Sequence, residues 1–311
     1  MLLTDPIAAE GEQVLARGAQ VLRATDTSSE TIRRLAREAD GVITRSKLPD
    51  DLFAAAPRVR AVVIHGTGTD LVPLAAAAEH GVTVANLPGV NAQSVAEYCA
   101  MAMLMLARNV APILVSTREK TWDEARALGA QAHEIGAMTL GIVGVGEIGK
   151  RVAKICRHGF GMRVLGHQRR LDRLPPDVQA MALDALLRES DFVVVTCPLT
   201  PETRHMFNRD TLALMKPTAW LINVGRGAVV QEQALIEALR GKRIAGAMLD
   251  VYEHYRLEPG HPFFSLDNLV LTPHLAGMTR ESRARMGVAA AEEMLRMLAG
   301  ERPRNGVHAD R

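Results

Sequence analysis

The chain has 311 residues, 48% hydrophobic and 23% charged, with 37 basic residues against 35 acidic ones. That length suits two domains with sizeable cores, and the composition excludes disorder, collagen-like repeats and a helical membrane bundle. A formal net charge of +2 leaves no electrostatic footprint for nucleic acid or an anionic membrane, so neither is expected as a partner.

Three cysteines, Cys99, Cys156 and Cys197, stand without metal-ligand spacing, so no metal is expected, and an odd count in a long chain points to a reducing compartment. The N-terminus has no basic stretch and meets Asp5 and Pro6 early, which argues against a signal peptide. The longest strongly apolar run, residues 99–107, is far short of the ~20 residues that cross a bilayer. A cytoplasmic protein is expected.

Short apolar runs alternate with helical patterns along nearly the whole chain, the signature of parallel sheets with crossover helices. Strands are predicted at 41–44, 59–64 and 82–85, with helices over 29–38 and 71–79. Residues 96–107, AEYCAMAMLMLA, are apolar almost all round and predict a buried helix. Further strands follow at 140–145, 163–166, 192–196, 219–224, 244–249 and 269–271, and six is the count of a dinucleotide-binding sheet. A helix over 280–298 is expected to return the chain to the first domain. The expected fold is α/β with two doubly wound parallel-sheet domains, one a six-stranded Rossmann dinucleotide-binding domain. The expected boundaries are 1–99 with 284–311 for a substrate domain, and 100–283 for the dinucleotide domain.

Residues 139–149 read TLGIVGVGEIG, a buried strand running into Gly144-Val145-Gly146-Glu147-Ile148-Gly149 and then a helical pattern. In such a motif the first glycine permits a tight turn and the second lets backbone approach a pyrophosphate. The third lets helix and strand pack closely, and the helix N-terminus supplies unpaired N–H groups. A carboxylate that binds the adenosine ribose belongs about 20 residues on. Here the second strand instead runs into His167-Gln168-Arg169-Arg170. Arginines bind a 2′-phosphate through charge-assisted forks, so Gln168, Arg169 and Arg170 predict a preference for NADP(H), with NAD(H) as the alternative cofactor.

Several further motifs then resemble one family across almost the whole chain, the D-isomer-specific 2-hydroxyacid dehydrogenases. They are His65-Gly66-Thr67-Gly68-Thr69-Asp70, Asn86 to Asn91 running into Ser94-Val95-Ala96-Glu97, Cys197 to Thr203, Asn223-Val224-Gly225-Arg226-Gly227, Leu249-Asp250-Val251-Tyr252 and Thr272-Pro273-His274-Leu275-Ala276-Gly277. The resemblance implies reduction of a small 2-oxo acid to a (D)-2-hydroxy acid, in a homodimer built on the dinucleotide-binding domain. Arg226 takes the role of the cation that grips carboxylate and carbonyl, and His274 that of the general acid and base. Cys197, Pro198, Thr203, Val224, Gly225, Asp250 and Gly277 fall where the family lines its cofactor. Thr67 and Gly68 fall on its substrate loop, and Ser46 joins them as a candidate for substrate contact. Glyoxylate and hydroxypyruvate are the first substrate expectations.

One position departs. The family places a glutamate five residues after the Asp-Val-Tyr aspartate, paired with the catalytic histidine, and here that residue is Tyr255. A phenol orients an imidazole but carries no charge near neutral pH. Glu253, His254 or Glu258 from the same loop are alternatives to it. The departure also leaves open formate-dehydrogenase-like chemistry, or a dinucleotide-sensing scaffold of the corepressor type.

Overall fold

The apolar runs form two sheets, and the chain separates by its internal contacts into one unit of Met1–Asn91 with the segment from Met278 on, and a second of Ala92–Gly277. The structure, a computed structural model, describes residues 1–308. In chain order the first unit supplies β1 (Leu2–Leu3), β2 (Leu22–Arg23), β3 (Gly41–Thr44), β4 (Ala61–Ile64) and β5 (Thr83–Ala85). The second supplies β6 (Thr139–Val143), β7 (Arg163–His167), β8 (Gln179–Ala180), β9 (Phe192–Val195), β10 (Trp220–Asn223), β11 (Gly246–Leu249) and β12 (Leu269–Leu271). The last strand, β13 (Gly306–Val307), returns to the first unit.

The first sheet runs β13-β5-β4-β3-β1-β2, parallel throughout except for β13, which pairs antiparallel with β5. Chain order reverses between β1 and β3, where doubly wound sheets open a crevice at their carboxyl ends. Both faces are covered, so β3 and β4 read as continuous apolar runs instead of alternating ones. Val42, Val62 and Ile64 pack on one face, while Leu3, Ile43 and Val63 face the helix Arg280–Leu298 through Ala290, Ala291 and Met294. The helix returns the chain to this unit as its pattern predicts.

The second sheet runs β12-β11-β10-β9-β6-β7-β8, all parallel, with its reversal between β6 and β9. It holds the six predicted strands and a seventh, β8. That strand is two exposed residues at the sheet edge, too short and too polar to leave a periodic signal. The helix Ala92–Ala107 starts four residues before the apolar pattern does and lies wholly in this unit. Its Val95, Ala96, Cys99, Ala102 and Met103 pack in one core with Leu140, Ile142, Val194 and Ile222. A boundary at residue 99 would cut that core. No single helix among the described residues is long and apolar enough to cross a membrane.

Candidate active site

The glycine motif leaves β6 at the strand reversal of the second unit. Gly144 has φ +96°, and a Cβ there would lie 2.5 Å from the Cys197 nitrogen, so only glycine makes this turn beside the end of β9. Gly149 sits in the helix Glu147–Lys154 with its Cα against the strand, where a Cβ would lie 2.6 Å from the Gly144 oxygen. Gly146, just ahead of that helix, differs: a Cβ there would meet no atom within 4 Å. Two glycines are thus demanded by packing, while the middle one faces open space before a helix N-terminus. That cradle fits a dinucleotide pyrophosphate. Ile148 packs on the core, and Glu147 is exposed and pairs with Lys150 at 3.2 Å.

At the end of β7, Gln168 donates to the Arg170 carbonyl (2.7 Å), and Arg170 pairs with Asp172 (2.9 Å), all at the exposed edge. Arg169 is exposed too. The carboxyl of Glu202 is held below its usual range, first by the Thr200 hydroxyl, with Arg169 adding its charge. Thr203 closes the turn after β9 by donating to the Pro198 carbonyl (2.7 Å). Burial pushes the Cys197 thiol up to about 11, so it stays protonated and is no nucleophile.

Three turns meet at the carboxyl ends of the adjacent strands β10, β11 and β12. After β10, the buried Asn223 closes the turn from within: its side-chain oxygen accepts from the Gly225 nitrogen (3.1 Å) and its amide donates to the Arg226 carbonyl (3.0 Å). Arg226 is half-buried, and one of its guanidinium nitrogens donates to the Gly225 carbonyl (2.9 Å). The glycines on either side allow two close approaches. A Cβ on Gly225 would lie 2.8 Å from the Cys197 oxygen, and one on Gly227 only 1.7 Å from the Tyr252 oxygen. Val224 and Gly225 are buried beside them.

After β11, Asp250 is 1% exposed and organises the turn that carries His274. Its carboxylate accepts from the Thr272 hydroxyl (2.7 Å) and from the Leu275 and Ala276 nitrogens (2.8 and 2.9 Å). Its carbonyl accepts from the His274 nitrogen (2.8 Å), and its own nitrogen donates to the Asn223 carbonyl (3.0 Å). His274 itself is exposed with φ +54°. A left-handed residue other than glycine persists only where its surroundings enforce it. Tyr98 on the helix Ala92–Ala107 extends the network, its hydroxyl 2.5 Å from that of Thr272, and Tyr252 donates to the Thr272 carbonyl (2.7 Å). In the variant Asp250→Asn an amide N–H faces backbone N–H donors. We expect a loss of about 2–3 kcal/mol in stability, seen by thermal melting, with His274 released from its turn.

Tyr255 lies against His274, ring centroids 6.1 Å apart and edge-to-face at 68°. Glu253 accepts from His205 at 2.7 Å, and its nitrogen donates to Glu232 at 2.7 Å, so it is committed elsewhere; His254 and Glu258 are exposed. Of the four residues in contention, the tyrosine is the one in ring contact with His274.

In the first unit Ser46, Thr67 and Gly68 follow β3 and β4 at the carboxyl edge. The Ser46 hydroxyl donates to Asp5 (2.9 Å), and the Thr67 carbonyl accepts from Asn86 (2.7 Å). Asn223, Thr272, Tyr98 and Asp5 escaped sequence reasoning as site residues. Asn223 and Thr272 stand inside quoted motifs, and an asparagine in a glycine turn is a signal for side-chain closure. Tyr98 and Asp5 carry no local signal.

Comparison with known proteins gives a consistent result. The family described as D-isomer specific 2-hydroxyacid dehydrogenase, NAD binding domain, matches residues 100–276. A glyoxylate reductase of Aeropyrum pernix is 40% identical over 290 residues, covering 90% of this chain and 86% of that protein. The NADPH-dependent glyoxylate/hydroxypyruvate reductase of Sinorhizobium meliloti, solved with NADP and malonate, superposes with a TM-score of 0.86 at 27% identity, over 98% of this chain and 95% of that one. The NAD-dependent formate dehydrogenase of Staphylococcus aureus, solved with NAD, gives 0.88 at 27% identity, over 99% and 98%.

Proposed function

Since the chain belongs to the D-isomer-specific 2-hydroxyacid dehydrogenase family and is an NAD(P)-dependent enzyme of that kind, we propose that it reduces a small 2-oxo acid, with glyoxylate and hydroxypyruvate as first substrates, to the (D)-2-hydroxy acid. The observation that carries this reading is the interlock of three turns beyond β10, β11 and β12, which presents Arg226 and His274 from the two strands on either side of β11. Arg226 binds the substrate carboxylate and polarises the carbonyl. His274 donates a proton to the oxygen that becomes the hydroxyl, and takes it back in the reverse direction. Ser46, Thr67 and Gly68 contribute polar contacts to the substrate. When bound, the nicotinamide supplies the hydride. The dinucleotide is held by Gly144, Gly146, Gly149 and the helix they open, with Glu147, Ile148, Cys197, Pro198, Thr203, Val224, Gly225, Asp250 and Gly277 lining it. With hydroxypyruvate and NADPH, chiral chromatography of the product is expected to give D-glycerate; the L-isomer overturns the reading.

Gln168, Arg169 and Arg170 favour NADP(H) over NAD(H), since the strand end itself carries no carboxylate and both arginines are exposed, with Arg170 exchanging its pair with Asp172 for the 2′-phosphate. The double variant R169A/R170A is expected to lower kcat/KM for NADPH by ~10–100-fold while leaving NADH nearly unchanged. Equal loss with both cofactors contradicts the preference.

The reading includes a cytoplasmic homodimer built on the second unit. Trp122 (72% exposed), Leu114, Val115, Met101 and Leu104 leave apolar surface on three successive helices of that unit, as an unfilled interface does.

A second reading rests on Tyr255, which puts a neutral ring rather than a carboxylate beside His274. Formate-type hydride removal, or cofactor binding without turnover, needs no such carboxylate. The variant Tyr255→Glu separates the readings. If the tyrosine stands in for the missing acid, a carboxylate there favours the imidazolium, and reductase activity rises near neutral pH and persists further into the alkaline range. A fall in activity at every pH makes Tyr255 a residue that selects the substrate.

A further inference from the structure

The segment that carries Tyr255 is tied down at both ends by one carboxylate that the reading above does not use. Glu232 opens the helix Glu232–Arg240, whose Leu235, Ile236 and Leu239 are buried in the core of the second unit. One of its side-chain oxygens accepts from the Glu253 nitrogen (2.7 Å), and the other faces Nε2 of His261 at 3.4 Å. The His261 Nδ1 accepts from the Phe263 nitrogen (3.2 Å), so in the neutral ring the proton sits on Nε2, pointed at Glu232. The Glu232 side chain is 14% exposed, which shields both ties from most of the water.

Between those ends little else holds the backbone. Among the described residues, residues 254–260 make no hydrogen bond to any other segment, and of them Leu257 packs against the second unit's core. His205 adds a second tie at the near end: its Nε2 meets the Glu253 carboxylate (2.7 Å), while its backbone nitrogen donates to the Ala228 carbonyl (2.8 Å). Tyr255 itself is 73% exposed, and its ring meets that of His274. An exposed side chain on a closed loop stays in place only as well as the ends of the loop do. Freeing one end restores the conformations that closure removes.

We propose that Glu232 is a positioning residue for the reaction: by holding Glu253 and His261 together, it sets Tyr255 against His274. The proposal deepens the reductase reading and, as to rate, rests on it. Glu232 acts through the backbone of residues 253–261 and not on the reacting atoms. A misplacement of about 1 Å at a site of chemistry can cost ~100-fold in rate, so the fixing of one ring beside the other reaches the proton-transfer step. A carboxylate suits this task because each of its oxygens takes a donor. Glutamine offers one acceptor and turns an amide N–H toward the His261 N–H.

The test reads the loop and the rate separately. Arg256 is exposed within the segment, and trypsin cuts after it once the chain leaves its folded path. Initial cleavage at Arg256, followed by mass spectrometry, is expected to rise ~10–100-fold in Glu232→Ala and less in Glu232→Gln, with cleavage at other sites unchanged. His261→Asn is the milder variant: its side-chain oxygen still caps the Phe263 nitrogen but does not reach Glu232, and it too is expected to speed cleavage. A rise shared by every site in Glu232→Ala reports global unfolding, and His261→Asn then decides. In kinetics with glyoxylate and NADPH, Glu232→Ala is expected to lower kcat ~10-fold while KM for NADPH stays within ~3-fold. In the Tyr255→Ala background the same substitution is expected to cost under ~2-fold. Losses that add in the double variant overturn the proposal, as does a Tyr255→Ala enzyme that keeps its rate while Glu232→Ala loses it. Unchanged cleavage at Arg256 in both Glu232→Ala and His261→Asn overturns it as well. A wild type that reduces no 2-oxo acid fails the reductase reading instead, and the clamp then stands or falls on cleavage at Arg256.

Discussion

Replacing His274 by asparagine is expected to slow the reduction of glyoxylate and hydroxypyruvate, measured as kcat/KM, by ~100–10,000-fold, the usual worth of a positioned general acid. Asparagine is the informative replacement because His274 has φ +54°, a conformation that asparagine tolerates far better than most residues. The turn therefore keeps its shape and the bonds from Leu275 and Ala276 to Asp250 persist. What is lost is the proton. Affinity for NADPH, measured by fluorescence titration, is expected to stay within ~3-fold, because the glycine cradle after β6 is untouched. A variant that keeps its rate removes His274 from the chemistry, and one that loses cofactor binding as steeply as rate points to a collapsed turn.

The second large effect is structural. In Gly227→Ala the new Cβ falls 1.7 Å from the Tyr252 oxygen and 1.8 Å from its carbonyl carbon. Both are backbone atoms, so no rotamer change relieves the overlap and one of the two turns must move. We expect a stability loss of roughly 3 kcal/mol, at the upper end for overpacking, which lowers Tm by about 6–12 °C in a unit of this size. Activity falls as well, because Arg226 precedes the displaced residue and the Tyr252 turn leads to Tyr255. Gly146→Ala is the control: its Cβ meets no protein atom, so its Tm stays near that of the wild type. A Gly227→Ala protein as stable as the parent contradicts the interlock.

Much of this was legible in the sequence because both sheets are covered on two faces. Runs such as Phe192–Val195 and Ala61–Ile64 are then apolar without interruption and stand out between polar helices. Turn chemistry was legible from the glycines of the short motifs, although the contacts that demand glycine at Gly144 and Gly227 come from Cys197 and Tyr252, 53 and 25 positions further along the chain. What escaped were elements and partners set from a distance. β8 is held by its pairing with β7, and β13 by its pairing with β5, so two residues suffice and no pattern forms. Tyr98 meets Thr272 across 174 positions, and Asp5 meets Ser46 across 41. Asp250 shows a subtler limit. Its motif marks it for the site, yet the structure gives its carboxylate to the turn that holds His274. The departure at Tyr255 was visible in sequence, while the commitment of Glu253 to His205 required coordinates.

The most direct test of the central claim is the initial rate of NADPH oxidation, with NADH in parallel, across glyoxylate, hydroxypyruvate, pyruvate, phenylpyruvate and sulfopyruvate at two pH values. The account predicts turnover of small 2-oxo acids with NADPH preferred. Measurable cofactor binding with no oxidation of either cofactor by any of the five acids would contradict it.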